Sequence, residues 1–248
     1  KDQRVNVALK GAFEIMDGLK VDAFYSVQNQ NFARGTYRDK NSYGTGMDRN
    51  GLARRGYDEN SFQLFESTIN YVTDISGANL TVLAGYSHQE FNYEGFAAEG
   101  GDFITDAFTY NNLGAAKDFN EGIGSVYSYK HSNTLAAFFG RVNLNVTDSW
   151  FLTASVRYEG SSRFGDGNKW GVFPAVGAGV DLANVLNISS MDNLKLRASY
   201  GITGNQPGSS YMSLLRLGPS GNFFYNGEFI PGYAPVSNAN ADLGWETK

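Results

Sequence analysis

The sequence has 248 residues, 30 glycines, 5 prolines, no cysteine and an aromatic content of 15%. Its 20 basic and 25 acidic residues leave a net charge of −5, which argues against a nucleic-acid partner, because such a partner needs a basic stripe. Without cysteine there is no disulfide framework and no thiolate metal site, and the ring-rich, glycine-rich balance suits a turn-rich all-β protein.

No N-terminal signal peptide is visible. No apolar run approaches the roughly 18 residues of a membrane helix. The mean hydropathy of −0.35 resembles that of a soluble chain, but a membrane β-barrel has the same average, since half of each strand faces water or lumen.

Period-two alternation begins at once. Val5, Val7, Leu9, Gly11, Phe13 and Ile15 alternate with polar neighbours, and Asp17-Gly18 is a tight-turn signal between two such runs. Leu19, Val21, Ala23, Tyr25 and Val27 continue on the far side. A polar stretch from Asn29 to Asn60 then reads as a long loop. Phe65, Ser67, Ile69 and Tyr71 form the next strand, turning near Ser76-Gly77 into Leu80, Val82, Ala84 and Tyr86. A second long polar stretch runs from about Gln89 to Lys130. Ala136, Phe138, Gly140, Val142 and Leu144 follow, a short turn at Thr147-Asp148-Ser149 leads into the Trp150 strand, and strands from Trp170 and Leu194 come after it. A third long loop covers Gly204 to about Asn238.

The reading is therefore of about eight strands, 9 to 13 residues long by the alternation, whose connections alternate short and long. Outer-membrane barrels have that asymmetry, with tight turns at one end and long loops at the other. The apolar side then faces lipid and the polar side a lumen. Phe13, Tyr25, Tyr71, Tyr86, Trp150, Tyr158, Trp170 and Tyr200 fall near the ends of the apolar faces, as interfacial girdles do. Cross-strand core pairs of a soluble sheet would give the same rings.

Chemical motifs are few. Gly165 to Gly171 lacks the phosphate-loop spacing and a following helix, so it reads as a structural turn. Asp39 to Gly44 lacks the third oxygen ligand and closing glutamate of a calcium loop. Glu90, Glu94, Glu99, Asp102 and Asp106 read as a solvated acidic cluster, with calcium binding as the alternative. His88 and His131 flank one long loop without a third ligand. No catalytic triad, carboxylate pair or zinc motif is present, so the expectation is no catalytic residue, no metal, no cofactor and no enzyme.

Three segments carry a family resemblance: RYEGSSRFGDGNKWGVFPAVGAGVDL (Arg157 to Leu182), LKLRASYGITGNQ (Leu194 to Gln206) and NANADLGWETK (Asn238 to Lys248). Together with SNTLAAFFGRVNLNVTDSWFLTASVRYEGSSRFG before them, they resemble the SusC-like TonB-dependent outer-membrane transporters of Bacteroidota. The likeness is strong from about Ser132 onward, and Val180 departs from it where the family usually has Trp. The resemblance implies a barrel of about 22 strands with a plug, a SusD-like surface lipoprotein as lid, and uptake of oligosaccharide or peptide substrates driven by TonB through the plug. No plug or TonB-box motif occurs in the sequence, so residues 1–248 are expected to be a segment of the barrel domain, embedded in outer-membrane lipid. A spanning sheet must close to satisfy its edges; a small complete outer-membrane barrel, adhesin-like, and a soluble secreted glycan-binding β domain are the other readings.

On this reading Arg141, Arg157 and Arg197 face the lumen in a structural charge network with neighbours such as Glu159, Lys195 and Asp181. Loop aromatics are the substrate or lid contacts: Phe91, Tyr93 and Phe96, with Phe103, Phe108 and Tyr110, in one loop; Phe224 and Tyr225, with Phe223, Phe229 and Tyr233, in another. Exposed rings suit sugar stacking, and suit burial under a protein lid or loop-to-loop packing still better.

Overall fold

A computed structural model describes residues 1–248. Eight strands form one sheet in sequence order, β1-β2-β3-β4-β5-β6-β7-β8. They are β1 (Asp2–Met16), β2 (Leu19–Arg38), β3 (Leu52–Ile75), β4 (Ala78–Gly101), β5 (Ser125–Val146), β6 (Trp150–Ser161), β7 (Trp170–Asp181) and β8 (Lys195–Gly201). Two short strands, β9 (Gly204–Asn205) and β12 (Glu246–Thr247), pair with each other, and β10 (Arg216–Tyr225) pairs with β11 (Glu228–Ser237).

The tight turns fall where glycine or a small polar residue permits positive φ. At Ser76-Gly77 and at Asn226-Gly227 both central residues are left-handed, with φ of 50° and 87°, and 49° and 89°. That is the backbone whose twist matches the strands it joins. Gly18 cannot be replaced so simply, because a Cβ there would lie 2.2 Å from the carbonyl oxygen of Val72.

Register from β5 to β8 keeps one phase per face. Val142 opposes Ala154, Ala154 opposes Val176, and Val176 opposes Tyr200 on the apolar side. One residue along, Asn143, Thr153, Gly177 and Ser199 line up on the other side. A one-residue slip would exchange the two rows, so the pattern itself fixes the pairing. Along β7, accessibility alternates residue by residue from Trp170 to Gly179.

Aromatic rings on the apolar side touch from strand to strand. Phe65 lies 6.5 Å from Tyr86, Tyr86 lies 5.0 Å from Phe138, and Trp170 lies 6.4 Å from Phe138 and 4.6 Å from Tyr158. Trp150 sits at the other end of β6, directly across from Val180. The position where the resemblance leads one to expect Trp thus has an indole on the neighbouring strand. The ten steps from Trp170 to Val180, at about 3.3 Å each, span about 33 Å of strand. At a tilt of about 40° this is about 25 Å of height, the apolar band of an outer-membrane barrel.

The strand count matches the sequence reading; the loop lengths do not. β2 to β5 run 20, 24, 24 and 22 residues, well beyond 9 to 13. The stretches read as loops from Asn29 to Asn60 and from Gln89 to Lys130 are largely paired strand, leaving only residues 39–51 and 102–124 as connections. Where neither face meets hydrocarbon, the ladder continues but the apolar alternation stops. The third long loop likewise contains the β10–β11 hairpin.

Contacts divide the chain into two units: residues 1–8, 26–63 and 90–132, and residues 9–25, 64–89 and 133–248. In the first, the connections 39–51 and 102–124 fold on a small core. Ala53, Phe103 and Ala116 are buried there, with Tyr37, Leu113 and Phe119 against them. Asp118 is buried, receives the Gly101 N–H and pairs with Arg49.

The phase assignment of the faces is testable in the intact barrel refolded into vesicles. Val176→Arg on the apolar face should cost about 2–4 kcal/mol, read by urea titration, whereas Ser199→Arg on the polar face should cost under about 1 kcal/mol. Equal costs would contradict the assignment.

Candidate functional site

The polar face of β5–β8 is small in side chain and spaced by arginines. Thr153 donates to Asn143 Oδ1 at 2.8 Å. A Cβ on Gly177 would lie 2.9 Å from Thr153 Cγ2, and one on Gly179 would lie 3.2 Å from Arg197 Cγ. Glycine at 179 therefore lets the Arg197 stem lie across β7. Arg157 pairs with Glu159 two residues along its own strand, and its guanidinium stands 5.6 Å from the centre of the Phe139 ring. Arg141, in register with Ser155, and Arg197, in register with Gly179, share that face but make no ion pair.

The expected charge network is thus smaller than the sequence suggested. Asp181 does not pair with an arginine: its Oδ1 accepts the backbone N–H groups of Ala183 and Leu194, both at 3.1 Å, and so holds the turn between β7 and β8. Lys195 lies over the Phe151 ring at 5.1 Å. An Asx-type cap meets two N–H groups that would otherwise go unpaired, and this outweighs an exposed ion pair of little net value.

At the end of β6 the three resembling segments converge. The turn 161–169 is bound by the segment 240–248: Gly165 N–H donates to Leu243 O at 3.1 Å, Asn168 Nδ2 to Ala241 O at 3.2 Å, and Trp245 Nε1 to Lys169 O at 3.0 Å. Phe164, 1% exposed, packs 4.8 Å from Trp245, which also meets Phe173 edge-on at 5.1 Å. A Cβ at Gly165 would come within 1.9 Å of Ala241 O, so no other residue fits. The same turn holds residues 203–207. Ser161 Oγ donates to Gln206 Oε1 at 2.8 Å, Arg163 Nη1 donates to Pro207 O at 2.6 Å, and Thr203 and Lys248 exchange backbone hydrogen bonds at 3.0 Å. Arg157, Glu159, Phe173, Gln206 and Trp245 border a hollow of about 390 Å³ beside it. The glycine-rich turn is a packing device, held to protein through the Gly165 and Asn168 N–H groups and the Lys169 carbonyl.

Of the aromatic candidates, Phe103, Phe108 and Tyr110 lie in the connection 102–124, and the others lie on strands. Phe91, Tyr93 and Phe96 are on β4. Phe91 packs 4.9 Å from Phe62, and Tyr93 stacks 4.8 Å from His131, which in turn meets Tyr129 at 5.9 Å. Phe96, an odd number of residues from both, projects from the opposite face and is exposed. Phe103 is core. Phe224 and Tyr225 are on β10 at the tip of the β10–β11 hairpin, and Phe224 meets Phe229 at 5.2 Å. The acidic cluster is dispersed. Glu94 pairs with Lys130 at 2.7 Å, Asp102 with Lys117 at 3.2 Å, Glu90 accepts from Asn92 at 2.8 Å, and Asp106 accepts from Tyr37.

Sequence reasoning missed the turn–strap packing, whose partners are about 80 residues apart and carry no periodicity. Trp245, inside the resembling DLGWETK, was the available signal.

An antiparallel sheet with one continuous apolar face, an aromatic row and a polar opposite face is the wall of a transmembrane β-barrel. The profile of the TonB dependent receptor-like, beta-barrel family matches residues 2–247, and the chain belongs to that family of outer-membrane proteins. TonB-dependent receptor P3 of Formosa agariphila is 30% identical over 240 residues, covering 95% of this chain and 23% of that protein. TonB-dependent receptor SusC of Bacteroides thetaiotaomicron is 28% identical over 184 residues, covering 72% of this chain and 17% of that protein. The solved RagAB peptide transporter aligns at a TM-score of 0.84 and 25% identity, over 99% of this chain and 27% of that one. The chain thus spans about a quarter or less of the relatives it matches. Its apolar face meets lipid and its polar face the lumen.

Gly165→Ala should open the strap: trypsin should cut after Lys169 in the intact protein, while the heat-resistant barrel band persists on gels. Unchanged digestion would show that the strap does not depend on this approach.

In the loop 102–124, the hydrogen bond from Asn50, followed by Lys117, holds the Asp102 carboxyl below the usual carboxylate range. A lowered folded pKa gives a contribution that is complete above about pH 4 and disappears as pH falls through the depressed value. Amide exchange in the loop, corrected for intrinsic rate, should accelerate only below pH 4, and Asp102→Asn should flatten that dependence.

Proposed function

We propose that residues 1–248 form part of the barrel wall of a SusC-like, TonB-dependent importer, whose plug lies elsewhere in the longer chain. The importer takes up oligosaccharides or peptides across the outer membrane with a SusD-like surface lipoprotein as lid, and this segment supplies wall, rim and part of the lid contact. It performs no catalysis and needs no cofactor. The observation that carries this reading is the two-phase sheet, apolar and ring-flanked outside and arginine-spaced inside, within a family of TonB-dependent receptors. The likeness to TonB-dependent receptor SusC supports the TonB-dependent reading, and RagAB, described as a peptide transporter, supports peptides as a substrate class beside glycans.

Arg141, Arg157 and Arg197 act in this reading as wall scaffolding. Phe91 and Tyr93, Phe96, and Phe224 and Tyr225 are the contact residues, with the last pair the most exposed.

Deleting the gene in its native host should abolish uptake of one substrate class from a panel of labelled oligosaccharides and oligopeptides. Dissipating the proton-motive force should abolish the same uptake in the wild type. Uptake that survives both treatments would overturn the proposal. Arg157→Gln should leave that uptake within about twofold while lowering barrel stability by about 1–2 kcal/mol.

A further inference from the structure

We propose that the connections 39–51 and 102–124 are one body, latched by the Asp118 carboxylate, and that this body stays closed while substrate passes. It is a fixed post rather than a pair of gating loops. The inference goes beyond the importer reading and rests on it only for the passage of substrate.

Asp118 ties three segments at one point. Its carboxylate accepts the N–H of Gly101, the last residue of β4, and pairs with Arg49 in the other connection. Its carbonyl accepts the N–H groups of Ile123 and Gly124 at 2.8 and 2.9 Å, where the chain returns toward β5. The side chain of Asp118 is 5% exposed. A charge buried to that degree is costly to leave without its partner, and parting the two connections would leave it so.

Further hydrogen bonds run directly between the connections. Asp102 N–H donates to Arg49 O at 2.7 Å, Phe103 N–H to Asn50 O at 3.1 Å, and Asn50 Nδ2 to Asp102 Oδ1 at 2.6 Å. Lys40 Nζ donates to Ile104 O at 2.8 Å.

Close approach leaves no room to slide. A Cβ at Gly100 would lie 2.7 Å from the Phe119 ring, and one at Gly124 2.5 Å from the same ring. At Gly101 it would lie 2.8 Å from Gly51 O, and at Gly35, on β2, 2.5 Å from the Tyr110 ring. Packing of this kind has discrete arrangements rather than continuous play.

The core of this body is complete within residues 35–124. Ala53 and Phe103 are 0% and 1% exposed with these residues alone around them. A longer chain can add cover to such a core but is not needed to form it. Opening would bring Phe103 into water and strand Asp118, which disfavours the open arrangement by about a hundredfold or more.

Amide exchange on the full-length transporter in detergent tests the single body. Asp118→Asn removes the charge at nearly constant size. Exchange, corrected for intrinsic rate, should accelerate about tenfold or more, and by the same factor in both connections. Leu113→Ala, a milder change against the same core, should also act on both in equal proportion, and decides the question if Asp118→Asn fails to assemble. Acceleration confined to residues 102–124 would show two independent loops and overturn the assignment.

Cross-linking on cells of the native host tests the closed state. Asn50→Cys and Asp102→Cys, in a background without other thiols, are bridged by a short bifunctional thiol reagent. Uptake of the labelled oligosaccharide and oligopeptide panel should stay within about twofold of the unbridged double variant. Loss of uptake on bridging would make the body a gate and overturn the fixed post. If the wild type takes up nothing from the panel, the importer reading fails and the post falls with it, while the two exchange variants still decide the single body.

Discussion

Everything in this chain depends on a sheet separating hydrocarbon from water. In lipid no solvent is available to backbone N–H and C=O groups, so each must be satisfied within the ladder. That requirement explains the unbroken in-register pairing from β5 to β8 and the strict exchange of apolar and polar rows with each residue. It also explains why turns are pushed to the strand ends, where glycine and small polar residues take left-handed backbone. Stability on the lipid side comes from leaving apolar side chains where hydrocarbon receives them, which is why Val176 and Leu152 are exposed in the isolated chain without being a defect.

The same constraint explains what was legible in the sequence and what was not. Alternation reveals a strand only where its two faces meet different phases. Leu80, Val82, Ala84 and Tyr86 announce the lower half of β4; Gln89 to Gly101 continue the same strand with polar residues on both sides and give no sign of it. The strand number could therefore be read, while strand lengths could not. Phe91 and Tyr93 passed for loop aromatics because rings beside Asn, Glu and Gly lack a partner row in sequence. In the structure they are cross-strand neighbours of Phe62 and His131. The buried trio Ala53, Phe103 and Ala116 was hidden for another reason: it joins the start of β3 to the connection 102–124, far apart in sequence and without shared periodicity.

The resembling segments had a physical meaning that their individual residues did not disclose. SSRFGDGNK, GITGNQ and DLGWETK are separate in sequence and form one packed unit in space. The glycine at 165 is required by the backbone of residue 241, the indole at 245 by the ring at 164 and the carbonyl at 169. A turn that resembled an anion loop is thus better understood as half of a joint. The Gly165 and Asn168 N–H groups and the Lys169 carbonyl are already committed to protein, and a backbone group satisfied in that way has nothing left to offer a phosphate.

Rigid base and exposed tip are complementary demands on such a joint. Barrel strands cannot shift register without exchanging lipid and lumen rows, so they provide a fixed frame. A ring-bearing hairpin gains from that frame because each side chain ordered in advance removes part of the entropy that binding would otherwise cost. The cost is met in the fold, where Phe164 is buried and Trp245 half-buried, rather than at the hairpin tip, where Phe224 and Tyr225 are exposed. The joint at the rim thus ties the wall to the hairpin, while the wall's own polar face carries small residues and arginines.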